Sequence, residues 1–412
     1  MTFADQLVLS GLQFAVGLSF IYFGTPEEYG KFSFLLVLLT LFGSVQNALV
    51  NTPLVVLSAR ITKQKREDFE RGLCGVLFFI ILVCMVSVIS WFSIQNMLAL
   101  NSKLSLVEAI VFLVFLGPLM LREFWRADEF AKLAPERALR RDVLYCLISA
   151  AILLLLLSYQ TVLATTCFAA MGIGSFAVIL RPTIVLSLPA PEWNVVVRAF
   201  KKAWPHSKWS LLGAVSSWLQ LQSYVLVPFY MIGTKEVAML SAARLVMQPP
   251  ALLSSSWSNY LRPLTSRLLH QGDIQEVRKI FQKSIAINIT ALMLYTGMII
   301  FLFRISPANL IPDAYQGIGK YILLWGMVIC IAIVRDSISA IMQSALAFRP
   351  LGMKSLASSL FTCCFTVIMV FTVGGSGALI ARIAGDFLLL LMLAIGFGRQ
   401  LQSSELQSKE SL

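Results

Sequence analysis

The chain has 412 residues, of which 58% are hydrophobic and only 13% charged, with a formal net charge of +12. A soluble domain carries about 25% charged residues, so this composition excludes an ordinary globular protein and points to a bilayer. A basic excess of this size could also suggest nucleic acid, but its placement along the chain, described below, argues for orientation in a membrane and against nucleic-acid binding.

The first residues, MTFADQLVLSGLQF, contain Asp5 and no lysine or arginine. A cleavable signal needs a basic flank, so the first apolar segment is expected to be retained as a helix. A spanning helix needs roughly 17–25 mostly apolar residues. Segments of that kind fall at 5–23, 33–58, 73–98, 105–121, 143–159, 162–180, 209–231, 237–261, 284–303, 321–345, 355–373 and 377–398. The expectation is an all-α polytopic membrane protein with about twelve transmembrane helices. An N-terminal six-helix bundle covers 1–190, an amphipathic connector with VVVRAFKKAW covers 191–208, and a C-terminal six-helix bundle covers 209–398. The polar tail, 399–412, is expected to lack fixed structure.

The two halves echo each other. Phe23 to Arg71 begins with Gly24, Thr25 and Glu27, continues through a long apolar segment with a polar middle, and reaches Pro53, Arg60 and a charged piece at Glu67 to Arg71. Ile232 to Lys279 repeats the order with Gly233, Thr234, Glu236, Pro263, Arg267 and Glu276 to Lys279. Identity is low, and the shared sequence of features carries the case for two similar halves.

Of the 33 lysines and arginines, 25 fall in alternate connectors on one side, from Arg60 to Lys409. Only Lys31, Lys103, Lys235, Arg304 and Lys320 fall on the other. The basic side is read as cytoplasmic, which puts both termini inside and the chain in the bacterial inner membrane. Contact with anionic lipid accompanies such a surface.

Five ionisable side chains lie inside the predicted spans: Arg244, Arg335, Asp336, Arg382 and Asp386. A charge at membrane depth costs roughly 2.5–3.5 kcal/mol on the insertion scale, so such residues usually face a wet cavity or a partner. Arg382 and Asp386 are four apart and could pair, as glue between helices or within a site, or Arg382 could stretch to the outer interface. Arg335 is the leading candidate for a substrate contact. Asp336 projects about 100° away and is expected to hold a neighbouring helix. Matching helices also carry polar stripes: Gln6, Ser10 and Gln13 against Ser216, Gln220 and Ser223, then Gln46, Asn47 and Asn51 against Ser254, Ser255, Ser256, Ser258 and Asn259. These fit a hydrated passage between the halves, or interhelical hydrogen bonding. Pro53, Pro118, Pro228, Pro249 and Pro250 interrupt helices and permit bending.

Other signals carry no chemistry. MGIGSFA, with Gly172 and Gly174, has a partial dinucleotide-loop spacing but no strand before it. Asn288-Ile-Thr290 is a glycosylation triplet inside a span, and His206 and His270 are read as loop residues without ligand partners. The seven cysteines, Cys74, Cys84, Cys146, Cys167, Cys330, Cys363 and Cys364, form no CxxC pair. Neither a zinc site nor a disulfide framework is indicated, and no cofactor or metal is expected.

Three segments resemble a known group: FGTPEEYGKFSF, REFWRADEFAKLAPERALRRD, and IGTKEVAMLSAARLV followed by LRPLTSRLLHQGD. They resemble polysaccharide-biosynthesis flippases of the multidrug/oligosaccharidyl-lipid/polysaccharide exporter superfamily, in order along nearly the whole chain. The resemblance implies two six-helix bundles around a central cavity, working by alternating access. It implies a substrate of sugars on a polyprenyl diphosphate, moved from inner to outer leaflet for surface polysaccharide, with possible polymerase partners. The family's cavity uses cations for the anionic substrate; Arg244, Arg335 and Arg382 are the positions here that could match, joined as cavity candidates by Asp386, Gln220, Asn47 and Asn51. Two rival functions remain. An ion-coupled multidrug antiporter of the same superfamily would need carboxylates in its cavity. A membrane polymerase or ligase would need a large outward loop or an acidic metal cluster, so no enzyme is expected.

Overall fold

A computed structural model describes residues 2–58, 63–97, 104–132, 134–158, 162–180, 192–271, 273–305, 312–344 and 348–410. Among them the regular structure is nearly all helical. In order come α1 (Thr2–Phe23), α2 (Pro26–Gln46), a π-helical turn at Asn47–Asn51, α3 (Thr52–Ser58), α4 (Lys63–Met97), α5 (Leu106–Ala131), α6 (Pro135–Leu157) and α7 (Ala164–Ile179). Then follow α8 (Trp193–Met231), α9 (Thr234–Val246), α10 (Gln248–His270), α11 (Ile274–Ile305), α12 (Gly319–Ser344), α13 (Phe348–Val373) and α14 (Gly375–Glu410). Each predicted span falls on one helix, or on one interrupted pair: α2 with α3, and α9 with α10. Seven of the described helical stretches are long and apolar enough to cross a bilayer, and the α9–α10 pair, bent by 53°, makes eight. The chain is an all-α, multi-pass membrane protein.

Both interruptions have a local cause. Pro53 has no N–H to offer, and its ring crowds the carbonyl one turn back. The chain relieves this by widening the preceding turn, where the Thr52 N–H donates to Asn47 O, five residues away. Pro249 and Pro250 do the same more abruptly, and α9 ends at Val246.

The helices gather into two compact units, Met1–Trp218 and Leu219–Leu412. The boundary lies inside α8, one continuous helix that takes in both the amphipathic connector and the predicted seventh span. His206 and His270 stand in helices α8 and α10, not in loops; their side chains, like those of Ser255, Ser256, Ser258 and Asn259, lie outside the described residues. The tail also departs from expectation, because α14 runs on to Glu410. Its Gln, Leu, Glu and Lys residues are good helix formers and continue a helix already nucleated.

In the first unit, Thr25 caps α2, its hydroxyl accepting from the Glu28 N–H at 3.3 Å. Glu28 itself accepts from the Ala164 N–H at the start of α7, at 2.9 Å, and from Lys31 at 2.7 Å. Lys31 also reaches Glu108 of the Ser105–Glu108 capping box on α5, at 2.8 Å. In the second unit Glu236, which aligns with Glu27, the residue before Glu28, accepts from the Tyr321 hydroxyl of α12 and packs on Gly375, the first residue of α14. Each Gly-Thr turn therefore places a glutamate against the N-terminus of its unit's last spanning helix, where the helix dipole favours a negative charge. Gly172 and Gly174 serve packing: a Cβ at Gly172 would strike Phe115 of α5, and one at Gly174 would strike Ser149 of α6.

Candidate functional site

Two groups of ionisable side chains stand out, one in each unit. In the second unit, Asp386 sits about a third of the way along α14 and is fully buried. Its carboxylate accepts from Arg382 Nε on the previous turn at 2.8 Å, from Gln220 Nε2 of α8 at 2.8 Å, and from Arg335 Nη1 of α12. Arg382 also donates to the Gln220 backbone carbonyl, which fixes it in the interior and away from the interface. Gln220 Nε2 lies 3.2 Å from Ser358 Oγ of α13, and that hydroxyl donates to Gly385 O at 2.8 Å. Arg335 completes the set with two contacts to Asp336 Oδ1, at 2.9 Å from Nε and 2.8 Å from Nη2. Asp336 thus partners its own neighbour and not another helix. The reason is the reach of the arginine side chain, which curls back over the backbone.

Two arginines and two aspartates make this network neutral, as survival at membrane depth requires. It has a closed and an open side. The Asp386 and Arg382 side chains are at most 4% exposed, while that of Asp336 is 46% exposed. The Asp336 carboxylate beside Arg335 marks the edge where water or a polar ligand can reach the group.

Arg244 is separate. It lies in the last turn of α9, next to the 53° break, and the residue is exposed. It donates to the Tyr224 hydroxyl at 2.8 Å and lies 5.7 Å from the Tyr224 ring and 5.9 Å from that of Trp325. Those rings meet edge to face at 5.0 Å, and Trp325 Nε1 is pinned to Leu240 O at 3.1 Å. The cation therefore rests on a rigid aromatic shelf. Trp325 and Arg335 are both on α12, about 15 Å apart at the helical rise per residue.

Asn47 and Asn51 belong to the first unit. With Glu123 and Arg126 they line a cavity of about 340 Å³ beside the π-helical turn. Asn51 Oδ1 lies 3.4 Å from Gln46 Nε2, whose main partner is Met120 O at 2.9 Å, while Asn47 is exposed. Behind the cavity wall Arg126 reaches Asp5 Oδ2 at 2.5 Å, Asp142 Oδ2 at 2.9 Å and Glu123 Oε2 at 3.4 Å. Arg122 contacts Glu123, approaches Asp142 at 3.8 Å and lies 3.8 Å from the Tyr145 ring centre. Asp5 and Asp142 are both 1% exposed and converge on the same guanidinium. Burial, and then a hydrogen bond with the Asp5 carboxyl, push Asp142 up to about 7, against the pull of both arginines.

This second group is absent from the sequence reading, which takes Arg122 to Asp142 as orientation charges in a connector. A signal was present: acids and bases recur three or four apart among Phe124, Trp125 and Phe130, as on a helix whose polar groups satisfy one another. Of the seven cavity candidates, Arg335, Arg382, Asp386 and Gln220 assemble into one network. Arg244 has its own shelf, and Asn47 and Asn51 line a cavity in the other unit.

No protein-family model and no curated protein matches the chain. Solved structures do. An inward-facing multidrug resistance MATE family transporter of the MOP superfamily aligns with a TM-score of 0.72 at 12% identity, over 97% of this chain and 95% of that one. The lipid II flippase MurJ, in an inward closed conformation, aligns at 0.67 and 14% identity, over 98% and 89%. A MOP superfamily transporter from Pyrococcus furiosus, described by the reverse polarity of its binding pocket, aligns at 0.58 and 11% identity, over 98% and 94%. This chain has the MOP transporter fold. Proteins of that fold include both drug transporters and a flippase, so what this chain does has to be argued from its side chains.

Proposed function

We propose that the chain is a flippase that carries polyprenyl-diphosphate-linked oligosaccharide from the inner to the outer leaflet by alternating access, for assembly of O-antigen, capsule or exopolysaccharide. The observation that carries this reading is Arg244: an exposed arginine within an apolar span, its guanidinium on an aromatic shelf, at a break in its helix. Interrupted helices at membrane depth are tolerated where they are buried in protein or line a cavity, and transporters use them to present polar groups to substrate. A diphosphate suits this cation, because guanidinium groups bind phosphate oxygens through paired, charge-assisted hydrogen bonds. Arg335, at the open edge of the second-unit network, supplies a second contact, and Arg382, Asp386 and Gln220 hold it in place. With a cytoplasm-negative potential, each negative charge moved outward gains about 2.3 kcal/mol per 100 mV. No bond is made or broken, and both termini face the cytoplasm of an inner-membrane protein.

One observation favours a second reading, an ion-coupled multidrug antiporter. The first unit places Asp5, Glu123 and Asp142 around Arg122 and Arg126, close to the cavity of Asn47 and Asn51. Carboxylates there would suit a cationic drug. Proteoliposomes distinguish the two, loaded either with a fluorescent short-chain polyprenyl-diphosphate sugar or with a cationic dye. The flippase reading expects the lipid-linked sugar to change leaflet, and Arg244→Gln to slow it about tenfold, the loss of one charged hydrogen bond. Dye accumulation with a stationary sugar would replace it with the antiporter.

A further inference from the structure

The first unit contains a larger hollow that none of the foregoing uses. A groove of about 680 Å³ runs between α2, α4 and the first turns of α8. Along α4 it extends from Val76 to Ser87, about 16 Å at the helical rise per residue. Its wall is aliphatic and aromatic apart from three side chains, Cys84, Ser87 and Lys201, and the buried Cys84 thiol behaves as a small apolar group. The Ser87 hydroxyl is already committed, donating to Val83 O at 2.7 Å. Lys201 is exposed and has no ion pair among the described residues. A ligand that satisfies this groove is therefore a long apolar chain with one anionic group at the end where Lys201 stands.

The surroundings of Lys201 specify that end further. Lys202, its neighbour, lies 5.5 Å from the Phe69 ring in the charged opening stretch of α4. Arg198 is three residues away on α8 and is exposed, as are Trp193 and Trp204. Tryptophans beside lysines and arginines are the residues that settle at a membrane–water interface. From Trp193 to Trp209 the sequence contains Arg198, Lys201, Lys202 and Lys208 and no acid. We infer that this groove is a binding site for an anionic phospholipid, with one acyl chain along α4 and the phosphate at Lys201, Arg198 and Lys202.

The inference does not depend on what the protein transports. Its test is native mass spectrometry of the full-length protein in detergent, titrated with phosphatidylglycerol or with phosphatidylcholine of the same acyl chains. Phosphatidylglycerol should be retained about fivefold more, the preference that one cation near an anionic headgroup supplies. Lys201→Glu should bring that ratio close to one. Val83→Trp, at a position already 47% exposed and so tolerant of bulk, should reduce retention of both lipids by occupying the groove. Equal retention of the two lipids by the unchanged protein would overturn the proposal, as would a preference that survives Lys201→Glu. So would displacement of phosphatidylglycerol by an equimolar polyprenyl phosphate, which would assign the groove to an isoprenoid tail.

Discussion

In the first unit the ionisable side chains gather at or just beyond the ends of apolar spans, on α1, α5 and α6, in a set of three acids and two arginines. In the second they lie within the spans of α12 and α14, in a set of two acids and two arginines. Helix order, the Gly-Thr turn and a glutamate on the last helix are common to both units, while the sets of charges differ. Depth accounts for the difference in balance. At the edge of the bilayer water shares the work, and burial beside the Asp5 carboxyl raises Asp142, which makes the one acid in excess easier to protonate. At mid-span the charges must cancel in place, and they do.

The comparison can be broken most sharply at Asp386. Replacing it with alanine leaves Arg335 and Arg382 facing each other with Asp336 as the remaining acid, at a cost of about 3–5 kcal/mol for an uncompensated buried charge. Folded Asp386→Ala protein is expected to be lost on size-exclusion chromatography in detergent. The double change Arg382→Met with Asp386→Leu removes a pair together and should restore most of it. A single variant as stable as the parent would mean that Asp386 is dispensable to the network.

Arg126→Met tests the other side. Its side chain is 26% exposed, so water screens the acids it leaves behind and the cost should be smaller, about 1–2 kcal/mol. That should lower the melting temperature by a few degrees without loss of yield. A loss as severe as that of Asp386→Ala would erase the distinction by depth.

A smaller effect follows from Asp142, whose folded value of about 7 stands above its ordinary 3.8. Between those values the folded state binds the extra proton, so this group's contribution to stability is present at low pH and is lost as pH rises through about 7. The melting temperature of the parent should therefore fall by about 1–4 °C between pH 4.5 and 7.5 relative to that of Asp142→Asn, which cannot titrate. Parallel curves would show that Asp142 is ionised throughout.

What the sequence makes legible follows the same division. Hydrophobic length locates the helices on which all twelve predicted spans fall, although by length and apolarity only eight of the described helical stretches, counting the α9–α10 pair as one, suffice to cross a bilayer. The Arg382–Asp386 pair is legible because four residues make one helical turn. Gln220 as the third partner of Asp386 is not, since it lies 166 positions away and only packing brings them together. Asp336 is misjudged for a related reason: backbone geometry sends neighbouring Cβ atoms apart, but a long guanidinium can return. The first-unit cluster is hidden because its arginines double as orientation signals, and a count of charge by connector cannot reveal which of them are buried.

The smallest predicted effect concerns backbone rather than charge. Pro53→Ala restores an N–H, so the turn from Asn47 to Asn51 can tighten to ordinary α-helical pairing. Stability should change by less than about 1 kcal/mol, because the regained hydrogen bond is offset by repacking of α3. Position matters more: removing the extra residue from the turn rotates everything before it by about 100° relative to α3, which takes Asn47 off the cavity wall it shares with Glu123 and Arg126. Thiol labelling of Asn47→Cys in the parent and the Pro53→Ala background reads this directly. A several-fold loss of labelling is expected. Unchanged labelling would show that the wide turn is held by packing around Gln46 and Met120 and not by the proline.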